Sequence, residues 1–170
     1  FLQWKGEYSH WLELIAAAPY DSYELNGKLK DQGGPTLAGN RWSPRPTAPA
    51  KPAEGIRLYG TYSEGYRAPT LQDVFRGGGA HGSGDSYTPN LLIQPEVAKS
   101  WEAGVNIKYD DVFTANDTLR GKINFFHTNV EDYIEVDLTD SNRMARNLGN
   151  ARLRGIEVEG IYDFNWGFVN

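Results

Sequence analysis

The sequence contains no cysteine among its 170 residues. Disulfide frameworks, thiol nucleophiles and cysteine-ligated zinc are therefore excluded. Basic residues are also in the minority, because 17 Lys and Arg stand against 22 Asp and Glu and the formal net charge is −5. This balance argues against a nucleic acid as a partner, since nucleic-acid-binding domains usually carry a basic surface.

Long hydrophobic runs are missing as well. No apolar stretch approaches the roughly 18 residues that a transmembrane helix requires. Helical patterning is thin: residues 11–18 have some helical propensity, but Pro19 and the β-favouring residues 20–23 that follow predict a strand instead. On hydropathy alone, the composition is that of a soluble, tyrosine-rich, all-β protein.

The strongest signal that is present is an alternation of apolar and polar residues, which is typical of β-strands with two unlike faces. About seven strands are predicted, at residues 2–8, 11–26, 41–50, 56–62, 100–109, 119–125 and 155–162. One face of the sheet is predicted to carry apolar side chains, namely Trp101, Ala103, Val105, Ile107, Ile123, Phe125, Ile156 and Val158. The opposite face is predicted to carry Glu102, Asn106, Lys122, Glu157 and Glu159.

The predicted connections alternate between short and long, which places tight turns at one end of the sheet and long loops at the other. Transmembrane β-barrels have this arrangement, with short periplasmic turns and long extracellular loops. Tyr and Trp also cluster at strand ends, as in interfacial girdles, although aromatic residues favour strands in soluble sheets too. From these patterns alone, a membrane barrel and a soluble sheet are both open. The short connections lie at residues 9–10, 51–55, 110–117 and 165–167, and the long ones at 27–40, 67–95 and 138–148.

Three motifs, in order along the chain, carry a resemblance to a known family. They lie in residues 58–70, which include Tyr66-Arg67-Ala68-Pro69, in residues 94–104, which begin Gln94-Pro95-Glu96, and in residues 147–159, which include Arg154-Gly155-Ile156-Glu157. At all three, the sequence resembles TonB-dependent outer-membrane receptors. The resemblance implies an all-β segment of a large antiparallel transmembrane β-barrel, with about 22 strands and a plugged lumen. It also implies a location in a bacterial outer membrane, in contact with the membrane lipid.

The chain begins at Phe1 without an initiator Met or a signal peptide, and it stops at Asn170 in what the pattern predicts as a new strand. We therefore expect residues 1–170 to form a partial barrel domain, because about seven strands cannot close such a barrel and an open sheet would leave unpaired edges in the bilayer. By the resemblance, the plug domain and the contact with the TonB complex belong to an N-terminal part outside this chain.

Two motifs narrow the resemblance to haem receptors. Tyr66-Arg67-Ala68-Pro69 is similar to the family's FRAP motif and Thr88-Pro89-Asn90-Leu91 to its NPNL motif, with departures at Tyr66 and Thr88 and with Leu92-Ile93-Gln94 inserted before Pro95. Such receptors carry a haem-ligating His between the two motifs, and His81 is the one His in that interval. The resemblance therefore implies that haem is the transported ligand, that a haemophore protein delivers it, and that His81 is an axial ligand of the haem iron.

Two other functions are open at this point. A TonB-dependent receptor for a siderophore or another nutrient shares the first motif loosely, and a soluble β-sandwich adhesion module shares the strand pattern. No carboxylate pair is placed around a substrate with a nucleophile or base, so the sequence predicts no catalytic residue and no enzyme. Arg67 is a candidate for binding a haem propionate, because guanidinium groups pair with carboxylates. The alternative role of Arg67 is to shape the exit of the loop.

Four prolines conflict with the predicted strands. Pro19, Pro44, Pro46 and Pro49 fall where strands should run. Proline removes a donor from the ladder and is confined to strand edges, strand starts and bulges. We therefore expect this stretch to be distorted, or its sequence to be altered.

Overall fold

A computed structural model describes residues 1–29, 32–79, 86–138 and 141–164. Over these residues the chain is nearly all strand, with one short helix. No helix within the described ranges is long and apolar enough to cross a membrane. The elements are β1 (Leu2–Ser9), β2 (Leu12–Ala18), β3 (Tyr20–Leu29), β4 (Gln32–Trp42), β5 (Arg45–Ala53), β6 (Ile56–Arg67), α1 (Leu71–Phe75), β7 (Gly78–Gly79), β8 (Ser86–Tyr87), β9 (Glu96–Asp110), β10 (Thr118–Glu131), β11 (Ile134–Asp137), β12 (Asn142–Asn147) and β13 (Ala151–Asp163).

The main sheet has seven strands in the order β1-β2-β5-β6-β9-β10-β13, and every neighbouring pair is antiparallel. This confirms the all-β, antiparallel prediction and its count of about seven strands. Tight turns join the strands at one end of the sheet, which we call the turn end. The long connections leave from the other end, which we call the loop end.

The strands β3 and β4 form a separate hairpin beyond the loop end. Two predictions are therefore wrong in detail. The predicted strand at 11–26 is two strands, β2 and β3, and most of the loop predicted at 27–40 is strand. The glycines and Pro35 in this stretch have loop propensity, but pairing between β3 and β4 satisfies the backbone donors and acceptors and overrides that propensity. The connection predicted at 165–167 lies outside the described residues.

The prolines account for the break between sheet and hairpin. Pro19 separates β2 from β3 and Pro44 separates β4 from β5, and a hydrogen bond of 3.0 Å from the Ser43 amide to the Pro19 carbonyl links the two breaks. Pro46 and Pro49 remain inside β5, whose pairing with β2 is incomplete and whose pairing with β6 shifts register after Ala50. The expected distortion is present because each proline lacks the N–H that a ladder needs.

One face of the main sheet is apolar across its four central and C-terminal strands. The register aligns Leu58, Val105, Ile123 and Val158 in one row, and Gly60, Ala103, Phe125 and Ile156 in the next. Rows of aromatic residues flank this band at both ends. At the loop end, the ring centres of Tyr62 and Trp101 are 4.5 Å apart. At the turn end, Tyr109 and Tyr162 lie in one row. Because side chains alternate, the whole predicted apolar set shares this face, which we call the apolar face.

The opposite face is polar, as predicted. Lys122 lies between Asn106 and Glu159 in the register, and Asn124 lies between Gly104 and Glu157. The Tyr59 hydroxyl donates to Asn124 Oδ1 at 2.8 Å, and Asn124 Nδ2 donates to Glu157 Oε2 at 3.3 Å. The Tyr59 ring crosses Gly104 so closely that a Cβ there would lie 2.5 Å from it. A hydrogen-bonded polar face is typical of a sheet that encloses water or another polar surface.

A carboxylate organises the turn between β9 and β10. Asp117 is fully buried and accepts hydrogen bonds from the amides of Val112, Phe113 and Thr114 at 2.6–2.9 Å and from the Tyr162 hydroxyl at 2.5 Å. Burial by itself would raise the pKa of Asp117, but these donors outweigh it and hold the pKa well below its usual value of 3.8. The charged carboxylate therefore fixes the turn to the end of β13.

We expect Asp117→Asn to loosen this turn, because the amide group places its own N–H donors against the backbone donors. A carboxylate with a lowered pKa contributes its full stability above about pH 5 and loses it as the pH falls below 3.8 toward the folded pKa. The protection of the amides of residues 112–114 in the whole receptor, measured as the exchange rate relative to the intrinsic rate at the same pH, should therefore fall on acidification in the wild type and should be low at every pH in the variant. The exposed Asp111 accepts one amide hydrogen bond, from Asn116, so Asp111→Asn is the control and should retain the protection. Equal exchange in the two variants would contradict this role.

The two faces generate a second prediction. Val105 lies in a central row of the apolar face. If that row meets the centre of a bilayer, Val105→Arg should destabilise the receptor and lower its free energy of unfolding by about 2–4 kcal/mol. Its neighbour Asn106 lies at nearly the same depth on the polar face, beside Arg57 and Lys122. Asn106→Arg should cost less than about 1 kcal/mol, because water screens exposed like charges. A urea titration of the whole receptor in lipid vesicles measures both, and equal losses would rule out a lipid-facing apolar side.

Candidate functional site

The segment that carries His81 is held at its two ends. Residues 80–85, and His81 with them, lie outside the described residues. On either side, β7 and β8 pair antiparallel, with Gly78 opposite Tyr87 and Gly79 opposite Ser86. The two described ends of this segment are therefore neighbours in a ladder at the loop end.

A second connection supports that ladder. β8 pairs in parallel with β12, which pairs in turn with β11, so that four short strands form one sheet in the order β11-β12-β8-β7. The Ser86 amide donates to the Ser141 carbonyl and the Thr88 amide to the Arg143 carbonyl, both at 2.9 Å. Residues from two connections 50 to 60 positions apart thus share one set of backbone hydrogen bonds. The sequence did not predict this pairing, because strands of two to six residues show no readable alternation.

These two connections also share a small core. Ile93, Ile134 and Ala145 are buried together, and Val136 packs against them. We call the described parts of residues 67–95 and 132–150 the loop unit. Its apolar core is small, so its order depends on hydrogen bonds as well as on burial.

Two asparagines close the loop unit. Asn90 Nδ2 donates to the Ala145 carbonyl at 2.8 Å. Asn147 accepts from the Gln94 amide at 2.9 Å and donates to the carbonyls of Gln94 and Asp132 at 2.9 and 2.6 Å. Asn90 belongs to the second haem-receptor-like motif, and Asn147 begins the third motif of the family resemblance. Both motifs therefore have a structural role in joining the two connections.

Arg67 lies at the end of β6, directly opposite Glu96 at the start of β9. Its guanidinium donates to both oxygens of Glu96, at 2.8 and 2.6 Å, and to Asp73 at 3.3 Å. Glu96 also accepts from the Ile134 amide at 2.7 Å. The hydrogen bonds from Arg67 lower the pKa of Glu96 although burial acts in the opposite direction. The ion pair therefore connects the first two motifs of the resemblance and fixes the start of β11 to them.

Helix α1 continues this network. Thr70 caps the helix by accepting from the Asp73 amide, and the Asp73 carboxylate accepts from the Thr70 amide. This reciprocal capping box starts a helix that the alternation pattern did not reveal. The Thr70-x-x-Asp73 spacing was the signal that could have predicted it. Because the Asp73 carboxylate also accepts a hydrogen bond from the Arg67 guanidinium, the helix is fixed in orientation relative to β6.

Two guanidinium groups lie near one aromatic ring at the base of the His81 segment. The Arg76 guanidinium stacks 3.6 Å from the centre of the Tyr87 ring, and that of Arg143 lies 5.9 Å from it. Arg76 is exposed and precedes the glycine run 77–79. Sequence reasoning missed this cluster, since no motif includes Arg76 and the parallel pairing that brings Arg143 to Tyr87 was not predicted.

The β3–β4 hairpin also packs on the loop unit. The Phe75 ring lies over Gly27, where a Cβ would approach it to 2.5 Å, and also contacts Gly34. The rings of Tyr23 and Tyr66 are 6.3 Å apart. Three connections therefore meet at the loop end. Among the described residues, no group of three or more His, Asp and Glu side chains could hold a metal ion.

A family model described as "TonB dependent receptor-like, beta-barrel" matches residues 1–170. The chain is 24% identical to a hemin receptor of Yersinia enterocolitica, over 91% of this chain and 25% of that protein. It is 29% identical to a heme/hemopexin utilization protein C of Haemophilus influenzae (strain 86-028NP), over 89% of this chain and 23% of that protein. The chain thus spans about a quarter of the length of these curated relatives.

Two solved structures share the fold. One is a double mutant of the Serratia marcescens hemophore receptor HasR in complex with its hemophore HasA and heme, with a TM-score of 0.73 and 24% identity over 90% of this chain and 29% of that chain. The other is the copper transporter OprC, with a TM-score of 0.68 and 18% identity over 92% of this chain and 24% of that chain. Together with the family match over its whole length, the antiparallel sheet with its apolar and polar faces shows that this chain belongs to the TonB-dependent receptor-like β-barrel family.

Proposed function

We propose that this chain is part of the barrel of a bacterial outer-membrane receptor that takes up haem. The observation that carries the proposal is the loop unit, in which the two motifs similar to those of haem receptors are folded together and the interval containing His81 starts and ends in one β-ladder. In this proposal the apolar face contacts lipid and the polar face lines the lumen. The plug, and with it the contact with TonB, lies outside the 170 residues.

The relatives support haem as the cargo. Proteins named for hemin, and for heme and hemopexin utilization, match about nine-tenths of this chain. The name of the copper transporter OprC shows that a similar wall also occurs in a protein with another cargo. The choice of cargo therefore rests on the loops, and the loop unit here carries the haem-receptor-like motifs. A soluble adhesion module has no support from these relatives, and a siderophore is the remaining alternative cargo.

In the proposed mechanism, His81 presents a neutral imidazole nitrogen to the iron of haem. The ladder of β7 and β8 sets the positions of Gly79 and Ser86, the described residues on either side of the segment that bears His81. A haemophore protein delivers the haem to this surface, and TonB-derived energy drives its import. In this proposal the protein acts as a transporter.

Arg67 has a positioning role in this proposal. Its guanidinium already donates hydrogen bonds to both oxygens of Glu96 and to one of Asp73, so we assign it the role of orienting the loop unit. The exposed Arg76, at the base of the same segment, is the better placed guanidinium for a haem propionate. In this assignment, Arg67 does not bind haem directly and affects haem binding only by orienting the loop unit.

Replacing His81 tests the cargo. In the whole receptor, His81→Ala should shift the absorption spectrum of bound haem and weaken haem binding by about tenfold or more, because the iron loses an axial ligand. Growth on haem as the iron source should fall. His10, in the turn between β1 and β2 at the turn end, supplies the matched control, and His10→Ala should change neither spectrum nor growth. An unchanged haem spectrum and full uptake in the His81 variant would leave the siderophore receptor as the better interpretation.

The role of Arg67 is tested by comparing two variants. If Arg67 only positions the loop unit, Arg67→Gln and Glu96→Gln should increase hydrogen exchange at residues 134–147 alike. Their effects should also be non-additive in the double variant, with a coupling of about 1 kcal/mol. Haem affinity should then fall equally in the two single variants. A loss of haem affinity in Arg67→Gln alone, with loop exchange unchanged, would instead assign Arg67 to the haem carboxylates.

A further inference from the structure

On the apolar face, the row of aromatic residues at the loop end also contains an arginine, Arg154. In the register, Tyr62 lies opposite Trp101, Trp101 opposite His127, and His127 opposite Arg154. Arg152 follows on the same face of β13, one row farther toward the loop end, and its Nε donates to Asn129 Oδ1 at 3.1 Å. Both arginines are exposed. Two exposed arginines therefore occupy successive rows of this face at the edge of the apolar band.

The other charges at this edge already have partners. Lys99 donates to both oxygens of Glu131, at 2.6 and 2.8 Å, and Arg41 pairs with Glu64. Within the described ranges, by contrast, Arg154 makes no hydrogen bond or ion pair, and Arg152 uses only its Nε. The β13 side of the edge therefore carries an excess of positive charge. At the turn end, the described part of the same face ends in Tyr109, Leu119 and Tyr162 and bears no cation.

Position along the strand decides which surroundings these arginines meet. Tyr and Trp mark the level of the lipid headgroups, and an arginine on the lipid side costs little at that level but several kcal/mol at the centre of the bilayer. Ile156, one row below Arg154, is 69% exposed and Trp101 is 60% exposed. The two cations thus lie at headgroup level, above apolar side chains that can receive acyl chains.

We propose that Arg152 and Arg154 bind a phosphate of a membrane lipid, namely a phosphorylated glycolipid in the leaflet at the loop end. The planar guanidinium matches phosphate oxygens in a bidentate fashion and is the side chain best suited to this recognition. Residues two apart on a strand are separated by about 7 Å along it, close enough for both groups to contact one headgroup. A lipid fits better than a free anion because the apolar rows directly below offer a surface for its chains. This site depends on the barrel and is independent of the cargo.

The test uses the whole receptor in phosphatidylcholine nanodiscs that contain lipid A, either with both phosphates or dephosphorylated. Phosphorylated lipid A should raise the thermal stability of the wild type and remain bound in native mass spectrometry. Arg154→Gln should lower its retention about tenfold, the change that follows from losing roughly 1.4 kcal/mol of charge-assisted hydrogen bonding, and Arg152→Gln with it should abolish the difference between the two bilayers. Lys122→Gln, an equal charge change on the polar face, should have no effect.

Three results would overturn the proposal. Full retention of phosphorylated lipid A by the double variant would show that the arginines do not bind it. Because β13 is the last described strand, its neighbour in the whole barrel can supply a carboxylate, and an equal loss of stability in both kinds of nanodisc would assign Arg154 to such a partner. Equal protection by inorganic phosphate alone would identify a site for a free anion. None of these outcomes depends on whether the receptor transports haem.

Discussion

A bilayer offers the backbone no hydrogen-bond partners, so every strand that crosses it must be paired by its neighbours. In the seven-stranded sheet, each strand between the outer edges of β1 and β13 has an antiparallel neighbour on both sides, and the alternation of side chains separates an apolar face from a polar one. The prolines of β5 show how strictly the constraint applies. Where they remove donors, the ladder to β2 becomes incomplete, yet the complete ladders from β6 to β13 keep the sheet continuous. Position in the sheet, more than local propensity, determines what each residue faces.

The loop unit obeys a different constraint. It is held by a few charge-assisted and backbone hydrogen bonds around a core of three buried side chains. Its central element is the ion pair of Arg67 and Glu96, which the full-length register of β6 and β9 brings together although 29 positions separate the two residues. Through Ile134 and Asp73, this pair reaches β11 and α1. Long paired strands thus orient a loop unit that is held by few contacts, and a scaffold of this kind with loops above it is the usual arrangement in proteins that carry function on loops.

Long strands with clean alternation could be predicted from the sequence: β6 lies where a strand is predicted, and β9, β10 and β13 follow the predicted faces. The hairpin of β3 and β4 could not, because its glycines and Pro35 signal a loop unless the partner strand is known. The same holds for β8 and β12, whose two parallel pairs join residues 56 positions apart. For the candidate site, the motifs identified Arg67 and Glu96 separately, but only the register shows that they bind each other. The cation at Arg76 has no motif and emerges from its stacking on Tyr87.

The break at Pro19 and Pro44 has a consequence for how this fold can change over evolutionary time. Because the bond from Ser43 to Pro19 closes the sheet beneath the β3–β4 hairpin, residues above it can be gained or lost in pairs without shifting the register of β2 against β5. Length variation is then confined to the loop end of the sheet. The contact of Phe75 with Gly27 and Gly34 sets the limit, since a hairpin that loses these glycines can no longer seat the helix that follows β6.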